Sequence, residues 1–153
     1  MSNWKHMTGL KNLERADIDE ILNLAESLDD ICSGRKVTKV LEDKLMATFF
    51  YEPSTRTRFS FEAAMQRLGG KVISMADALA NSSAWKGESL GDTIRTIDNY
   101  ADVIVLRHSV AGAAEEAASY SRVPILSAGD GTNEHPTQGL LDMLTIRKEH
   151  GKL

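Results

Sequence analysis

The stretch Phe50-Tyr51-Glu52-Pro53-Ser54-Thr55-Arg56-Thr57-Arg58-Phe59 decides how this chain is read. The apolar run Leu45 to Tyr51 before it has the length of a strand. Phe61, Ala64, Met65 and Leu68 after it fall at the spacing of one helix face. Ser54 to Thr57 therefore sits at a strand-to-helix turn. The first backbone N–H groups of a helix have no partner inside it, and the helix dipole adds positive potential there. Hydroxyls and an arginine at the same point make a cradle for phosphate. The alternative is that Ser54 merely caps the helix and the arginines are solvated. Pro53, two threonines and two arginines in so short a stretch argue against a plain cap. Arg58 lies two positions from Arg56 and points elsewhere on a helix, so it is assigned to a structural pair with Glu62, one turn on.

Working outward, the same punctuation recurs. Ile18, Ile21, Leu22, Ala25 and Leu28 mark a helix from about Asp17 to Ile31, with Asp17 and Glu20 as a capping pair and Gly34 as a stop. After Gly69-Gly70 comes a strand, Lys71 to Met75, then a polar loop from Asp77 to Gly87 with Ser82, Ser83, Trp85 and Lys86. Leu90, Ile94, Ile97 and Ala101 mark a helix. A buried strand, Asp102 to Arg107, follows. Gly112 to Ser121 reads as an Ala-rich helix, Val123 to Ala128 as the fourth strand, and Gly129 to Asn133 as a loop. His135-Pro136 opens a last helix with Leu140, Leu141 and Leu144 on one face.

Strands alternate with helices and no hairpin signal joins consecutive strands. This predicts an α/β fold: three α/β/α layers around a parallel sheet of about four strands. Ligands of such sheets bind at the carboxyl ends of the strands. The polar candidates fall there: Ser54, Thr55, Arg56 and Thr57 after the first strand, Ser82 and Lys86 after the second, Arg107 after the third, His135 and Gln138 after the fourth.

Composition narrows the class. A chain of 153 residues is long enough for one domain with a real core. The formal charge of -4, with no basic run, argues against nucleic-acid binding. No apolar segment approaches the roughly 20 residues of a membrane span, and Met1 to Leu13 lacks a signal-peptide core. Cys32 is the single cysteine and reads as a small buried or half-buried side chain. The expected compartment is the cytoplasm. His6, His108, His135 and His150 lack ligand spacing, so no metal is expected, and no nucleotide-binding glycine motif calls for a cofactor.

Two arginines, a lysine, a histidine and several hydroxyls suit an anion with more than one charged oxygen. His135 at a helix start is favoured as a neutral donor to a carbonyl oxygen, or else it caps its helix. Gln138 offers both a donor and an acceptor, suited to an amide-like NH2 group. Arg107 either joins the anion site or pairs with an acidic neighbour. Lys86 either acts at the site or is a solvated loop charge.

Phe50 to Arg58, Lys86-Gly87-Glu88-Ser89 and His135-Pro136-Thr137-Gln138 together resemble the carbamoyltransferases, and within them the aspartate enzymes of pyrimidine synthesis. Thr137 favours that branch, because ornithine enzymes carry a cysteine there. The resemblance runs from about residue 8 to the end. It implies a carbamoyl phosphate-binding domain over 1–153, with the amino-acid-binding domain lying outside these residues. It implies that Ser54, Thr55, Arg56 and Thr57 hold the phosphate. Thr57, Arg107 and His135 would polarise the carbonyl, and Gln138 would bind the carbamoyl NH2. Ser82 and Lys86 would reach a neighbouring subunit's site in a homotrimer. Some members of the family add a zinc-bearing regulatory chain. The implied reaction is attack of the aspartate amine on carbamoyl phosphate, with no metal or covalent intermediate. The other readings are a carbamoyltransferase for another amine such as ornithine, and a non-catalytic anion-binding assembly module. The N-terminal apolar stripe from Ile18 to Leu28 is expected to lie bare where a helix of the second domain would cover it.

Overall fold

The computed structural model describes residues 4–78 and 86–153. In chain order the elements are α1 (Arg15–Ser27), α2 (Asp29–Cys32), β1 (Leu45–Phe50), α3 (Thr55–Arg67), β2 (Lys71–Met75), α4 (Leu90–Ile97), β3 (Val103–His108), α5 (Ala113–Tyr120), β4 (Ile125–Asp130) and α6 (Pro136–His150). The four strands form one parallel sheet in the order β2-β1-β3-β4.

Alternation along the strands builds the layers. On β1, Met46 and Phe50 join Val105 and Ala128 in a cluster with Met65 and Phe61 of α3. Ala47, Phe49 and Tyr51 point the other way, with Ile104, Leu106 and Ile125, onto Ile94, Ile97 and Ala117 of α4 and α5. Leu126 extends the first face to α6 and α1 through Leu140 and Leu22. The sheet thus has α3, α6 and α1 on one side and α4 and α5 on the other. Burial on both faces explains why the strands read as near-continuous apolar runs.

The strand order fixes where a ligand belongs. From β1 the chain steps outward to β2, then returns past β1 to β3 and on to β4. The direction of winding therefore reverses between β1 and β3, and the crevice outside their carboxyl ends is the site such sheets use. Pairing of Phe50 with Arg107 sets the arginine beside the turn that begins at Tyr51.

Several boundaries differ from the sequence reading. The first helix breaks at Leu28, and its capping box is Glu14 with Asp17 rather than Asp17 with Glu20: the Glu14 N–H donates to Asp17 Oδ2 at 3.0 Å. Cys32 is exposed, because its neighbour Ile31 takes the buried position on α2. Gly129 and Asp130 belong to β4 rather than to a loop, since Asp130 pairs with His108. Leu141 is 56% exposed; Leu140, Met143 and Leu144 form the inner face of α6. The N-terminal stripe is not bare. Leu22 is 1% exposed and packs on α6, with Ile18 and Ile21 beside it. Upstream, Met7 bridges to β4: its N–H donates to the Ile125 carbonyl, and its own carbonyl accepts from Ser127 N–H, both at 2.8 Å. Ser82, Ser83 and Trp85 lie outside the described residues.

Candidate active site

The N-terminus of α3 is built to be unfinished. Ser54 is its N-cap residue, with extended backbone (φ -155°, ψ 103°), yet its side chain makes no capping hydrogen bond. No acceptor among the described residues meets the N–H groups of Thr55, Arg56 or Thr57. No acidic side chain sits in this first turn. Arg56 is exposed and has no ion-pair partner among the described residues. Arg58, by contrast, lies 3.6 Å from Glu62, as its place on the helix predicts. Glu62 is further held by Thr48 and Ser74 hydroxyls at 3.0 and 2.6 Å. Arg58 is paired within its own helix, whereas Arg56 has no ion-pair partner among the described residues.

Opposite this turn, Arg107 comes from β3 at a β-bulge. Leu106 pairs with Ser127 and His108 with Asp130, so Arg107 faces two residues, Ala128 and Gly129. A bulge of this kind disrupts the ladder and re-aims a side chain. The Arg107 guanidinium uses what the bulge leaves unpaired: Nη1 donates to the Ala128 carbonyl at 3.0 Å. Its Nε lies 3.4 Å from Glu52 Oε2. Gly129, at φ 106°, lets the group pass. A Cβ there would stand 3.1 Å from Arg107 Nη1 and 3.3 Å from His135 Cδ2. The backbone conformation and the close approach both require glycine.

His135 precedes α6, whose first residue is Pro136. Its imidazole is half-buried, and burial followed by the nearby Arg107 charge pushes its pKa below the usual histidine value. Both effects favour the neutral imidazole, whose one N–H can donate to a carbonyl. Thr137 Oγ1 lies 3.3 Å from Nδ1. A hydroxyl donated to Nδ1 leaves the N–H on Nε2.

These groups share one open cavity of about 960 Å³, with Ser54 to Thr57 on one wall and Arg107, His135, Thr137 and Gln138 on the other. Of the residues singled out from sequence, seven line it. Lys86 does not; it is exposed beside Gly87. Glu52, Gly129 and Thr137 were assigned no part in the site from sequence. Glu52 and Gly129 owe theirs to strand pairing, which the sequence alone does not specify. The wall is positive at the α3 terminus and at both arginines, and it carries neutral donors beside them. Such a surface binds an anionic group and polarises a carbonyl next to it.

Residues 5–148 match the family model described as aspartate/ornithine carbamoyltransferase, carbamoyl-P binding domain. This chain belongs to that carbamoyltransferase family. It is 55% identical to the aspartate carbamoyltransferase catalytic subunit of Methanocaldococcus jannaschii, over 97% of this chain and 48% of that protein. It is 50% identical to the chloroplastic aspartate carbamoyltransferase of Arabidopsis thaliana, over 94% of this chain and 37% of that protein. The fold agrees with a solved catalytic subunit of the M. jannaschii enzyme at a TM-score of 0.90, covering 97% of this chain and 48% of the other. It agrees at 0.89, with 46% identity and the same coverage, with the Trypanosoma cruzi aspartate transcarbamoylase in complex with carbamoyl phosphate and aspartate. The carbamoyltransferase chain described here spans about half the length of these curated relatives or less. Among its described residues no helix is long and apolar enough to cross a membrane.

Proposed function

We propose that these residues form the carbamoyl phosphate-binding half of a cytoplasmic aspartate carbamoyltransferase, with the acceptor amino acid held by residues outside them. The observation that carries this reading is the uncapped N-terminus of α3 facing Arg107 and His135 across one cavity. An anion with a carbonyl attached fits both walls at once.

In this reading Ser54, Thr55, Thr57 and the α3 N–H groups hold the phosphate, and Arg56 neutralises it. Arg107, His135 and the Thr57 hydroxyl lie around the carbonyl oxygen. The aspartate amine attacks the carbonyl carbon and a C–N bond forms; the proton the amine loses passes to the departing phosphate, which leaves as hydrogen phosphate. Negative charge then gathers on the carbonyl oxygen, where Arg107 and neutral His135 stabilise it. The tetrahedral intermediate collapses with cleavage of the C–O bond to phosphate, and Arg56 takes up the charge of the leaving group. Gln138 binds the carbamoyl NH2. Rate comes from placing two substrates together and from fixed charge.

Ser82 and Lys86 belong to a shared site of a homotrimer, reaching the cavity of a neighbouring chain. The exposed position of Lys86 away from its own cavity supports that assignment. In mixed trimers of the whole enzyme, Lys86→Ala subunits combined with Arg56→Ala subunits should recover activity that neither has alone. A dead hybrid would count against the shared site.

The direct test of the function is binding without turnover. The 153-residue chain should bind carbamoyl phosphate and show no appreciable carbamoyl-aspartate formation until the remaining half is supplied. Turnover by the chain alone, near that of a whole enzyme, would place the acceptor site within these residues.

A further inference from the structure

Gln138 lies on the cavity wall one turn before Asp142 on α6, and its Nε2 donates to Asp142 Oδ1 at 2.9 Å. A glutamine amide has two faces, an acceptor oxygen and a donor NH2, and nothing in its own chemistry decides which one looks into a site. The neighbour decides. An ionised carboxylate accepts and cannot donate, so it holds the NH2 end and turns the oxygen away from itself. No donor among the described residues meets Gln138 Oε1, which leaves that oxygen for a ligand. Asp142 itself is exposed and does not line the cavity.

We infer that Asp142 is a positioning residue that sets the specificity of the site for an acyl phosphate bearing NH2. It presents Gln138 to the ligand as an acceptor. An acceptor welcomes the N–H of a carbamoyl group and gains nothing from the methyl of an acetyl group, although the two ligands share shape, carbonyl and phosphate. The inference rests on the reading that Gln138 contacts the carbamoyl nitrogen.

The test uses two stable phosphonates that differ only there: phosphonoacetamide and 2-oxopropylphosphonate. Calorimetric titration gives the ratio of their affinities for each variant. A purely structural role for Asp142 would move both affinities together and leave the ratio alone. Asp142→Leu removes the acceptor and frees the amide to rotate, so the preference for phosphonoacetamide should fall about fivefold. Asp142→Lys supplies only donors, which hold Gln138 by its oxygen and turn its NH2 toward the ligand. Its added positive charge raises both affinities alike, so the ratio still reports the amide, and the preference should vanish or invert. Asp142→Glu keeps a carboxylate and should retain most of it. Gln138→Ala is the reference variant. If Gln138→Ala destroys the preference while Asp142→Leu and Asp142→Lys keep it, the role of Asp142 is overturned and the Gln138 contact stands. If Gln138→Ala also keeps it, the contact is wrong and the role of Asp142 falls with it. Asp142 is on the helix surface, so its variants should fold with stability close to the parent chain.

Discussion

Two helices of this molecule begin just after a strand and end their first turns in opposite conditions. At α5 the protein supplies its own anion. Asp130, 2% exposed at the end of β4, accepts from the Gly112 N–H at 2.9 Å and the Ala114 N–H at 3.4 Å. At α3 the same kind of terminus has no carboxylate, an N-cap serine that bonds nothing, and an open cavity in front of it. Both termini carry the same kind of partial charge and first-turn N–H groups that need an acceptor from outside the helix. The first is closed by the fold and is structural. The second is left open where Arg56, Arg107 and His135 line one cavity, and it is the terminus we propose as the ligand site. A helix N-terminus becomes a binding site when the protein withholds its own cap and surrounds the gap with matching charge.

This contrast can be broken by substitution, and the largest effect should come at the open end. Arg56→Ala should weaken carbamoyl phosphate binding by about 3 kcal/mol, roughly 150-fold, as expected for losing charge-assisted bonds to an anion. Its melting temperature should hardly move, because Arg56 pairs with no described residue. Titration calorimetry and thermal unfolding of one sample measure both. Unchanged affinity would remove Arg56 from the site.

At the closed end the effects should be reversed. Asp130→Ala takes the cap from α5 and leaves buried N–H groups unpaired. It should cost about 2 kcal/mol of folding stability, read from urea unfolding. A variant as stable as the parent would mean that α5 does not depend on this carboxylate.

A smaller effect separates two serines at N-cap positions. Ser89 Oγ accepts from the Asp92 N–H at 3.1 Å, whereas Ser54 caps nothing. Ser89→Ala should therefore lose about 1 kcal/mol of stability and Ser54→Ala very little. Ser54→Ala should instead weaken phosphate binding. Equal losses of stability in both variants would erase the distinction between filled and open termini.

The smallest effect is in pH. His135 has its pKa lowered by burial and then by Arg107; His6 by burial and then by Lys5; His108 by burial. In each case the unfolded chain binds the proton more readily than the folded one. Their contribution is complete above the ordinary histidine value near 6.5 and is lost as pH falls through the lowered folded values. Unfolding followed from pH 7.5 to 5 should show stability flat at first and then falling. His6→Gln should flatten part of that fall, since His6 Nδ1 accepts from the Ile125 N–H only when unprotonated. A stability that rises as pH falls below 6.5 would contradict these directions.

The open terminus was more legible in the sequence than the closed one, for a physical reason. Apolar runs of strand length and helical spacing at Phe61, Met65 and Leu68 announce a strand-to-helix turn, and the hydroxyls and arginines between them point to an anion. Gly129-Asp130-Gly131 reads as a turn because glycine and aspartate usually serve there. In the structure the first two continue β4, as a bulge residue and an internal cap. That use depends on which strand lies alongside, and strand order is a long-range property that local pattern does not carry. Pairing of Arg107 with an acidic neighbour is one of the sequence readings, but the same limit hides that the partner is Glu52, and it hides the bridge from Met7 to β4. Arg58 was readable because its partner Glu62 is one helical turn away.

On the proposed function, the α3 terminus, and not its filled counterpart, seats the phosphate of carbamoyl phosphate. Amide proton–nitrogen spectra recorded while carbamoyl phosphate is added test it most directly. Saturable shifts are expected at Thr55, Arg56 and Thr57, with Gly112 and Ala114 at the start of α5 left still. Shifts confined to Gly112 and Ala114, or no saturable change at Thr55 to Thr57, would contradict it.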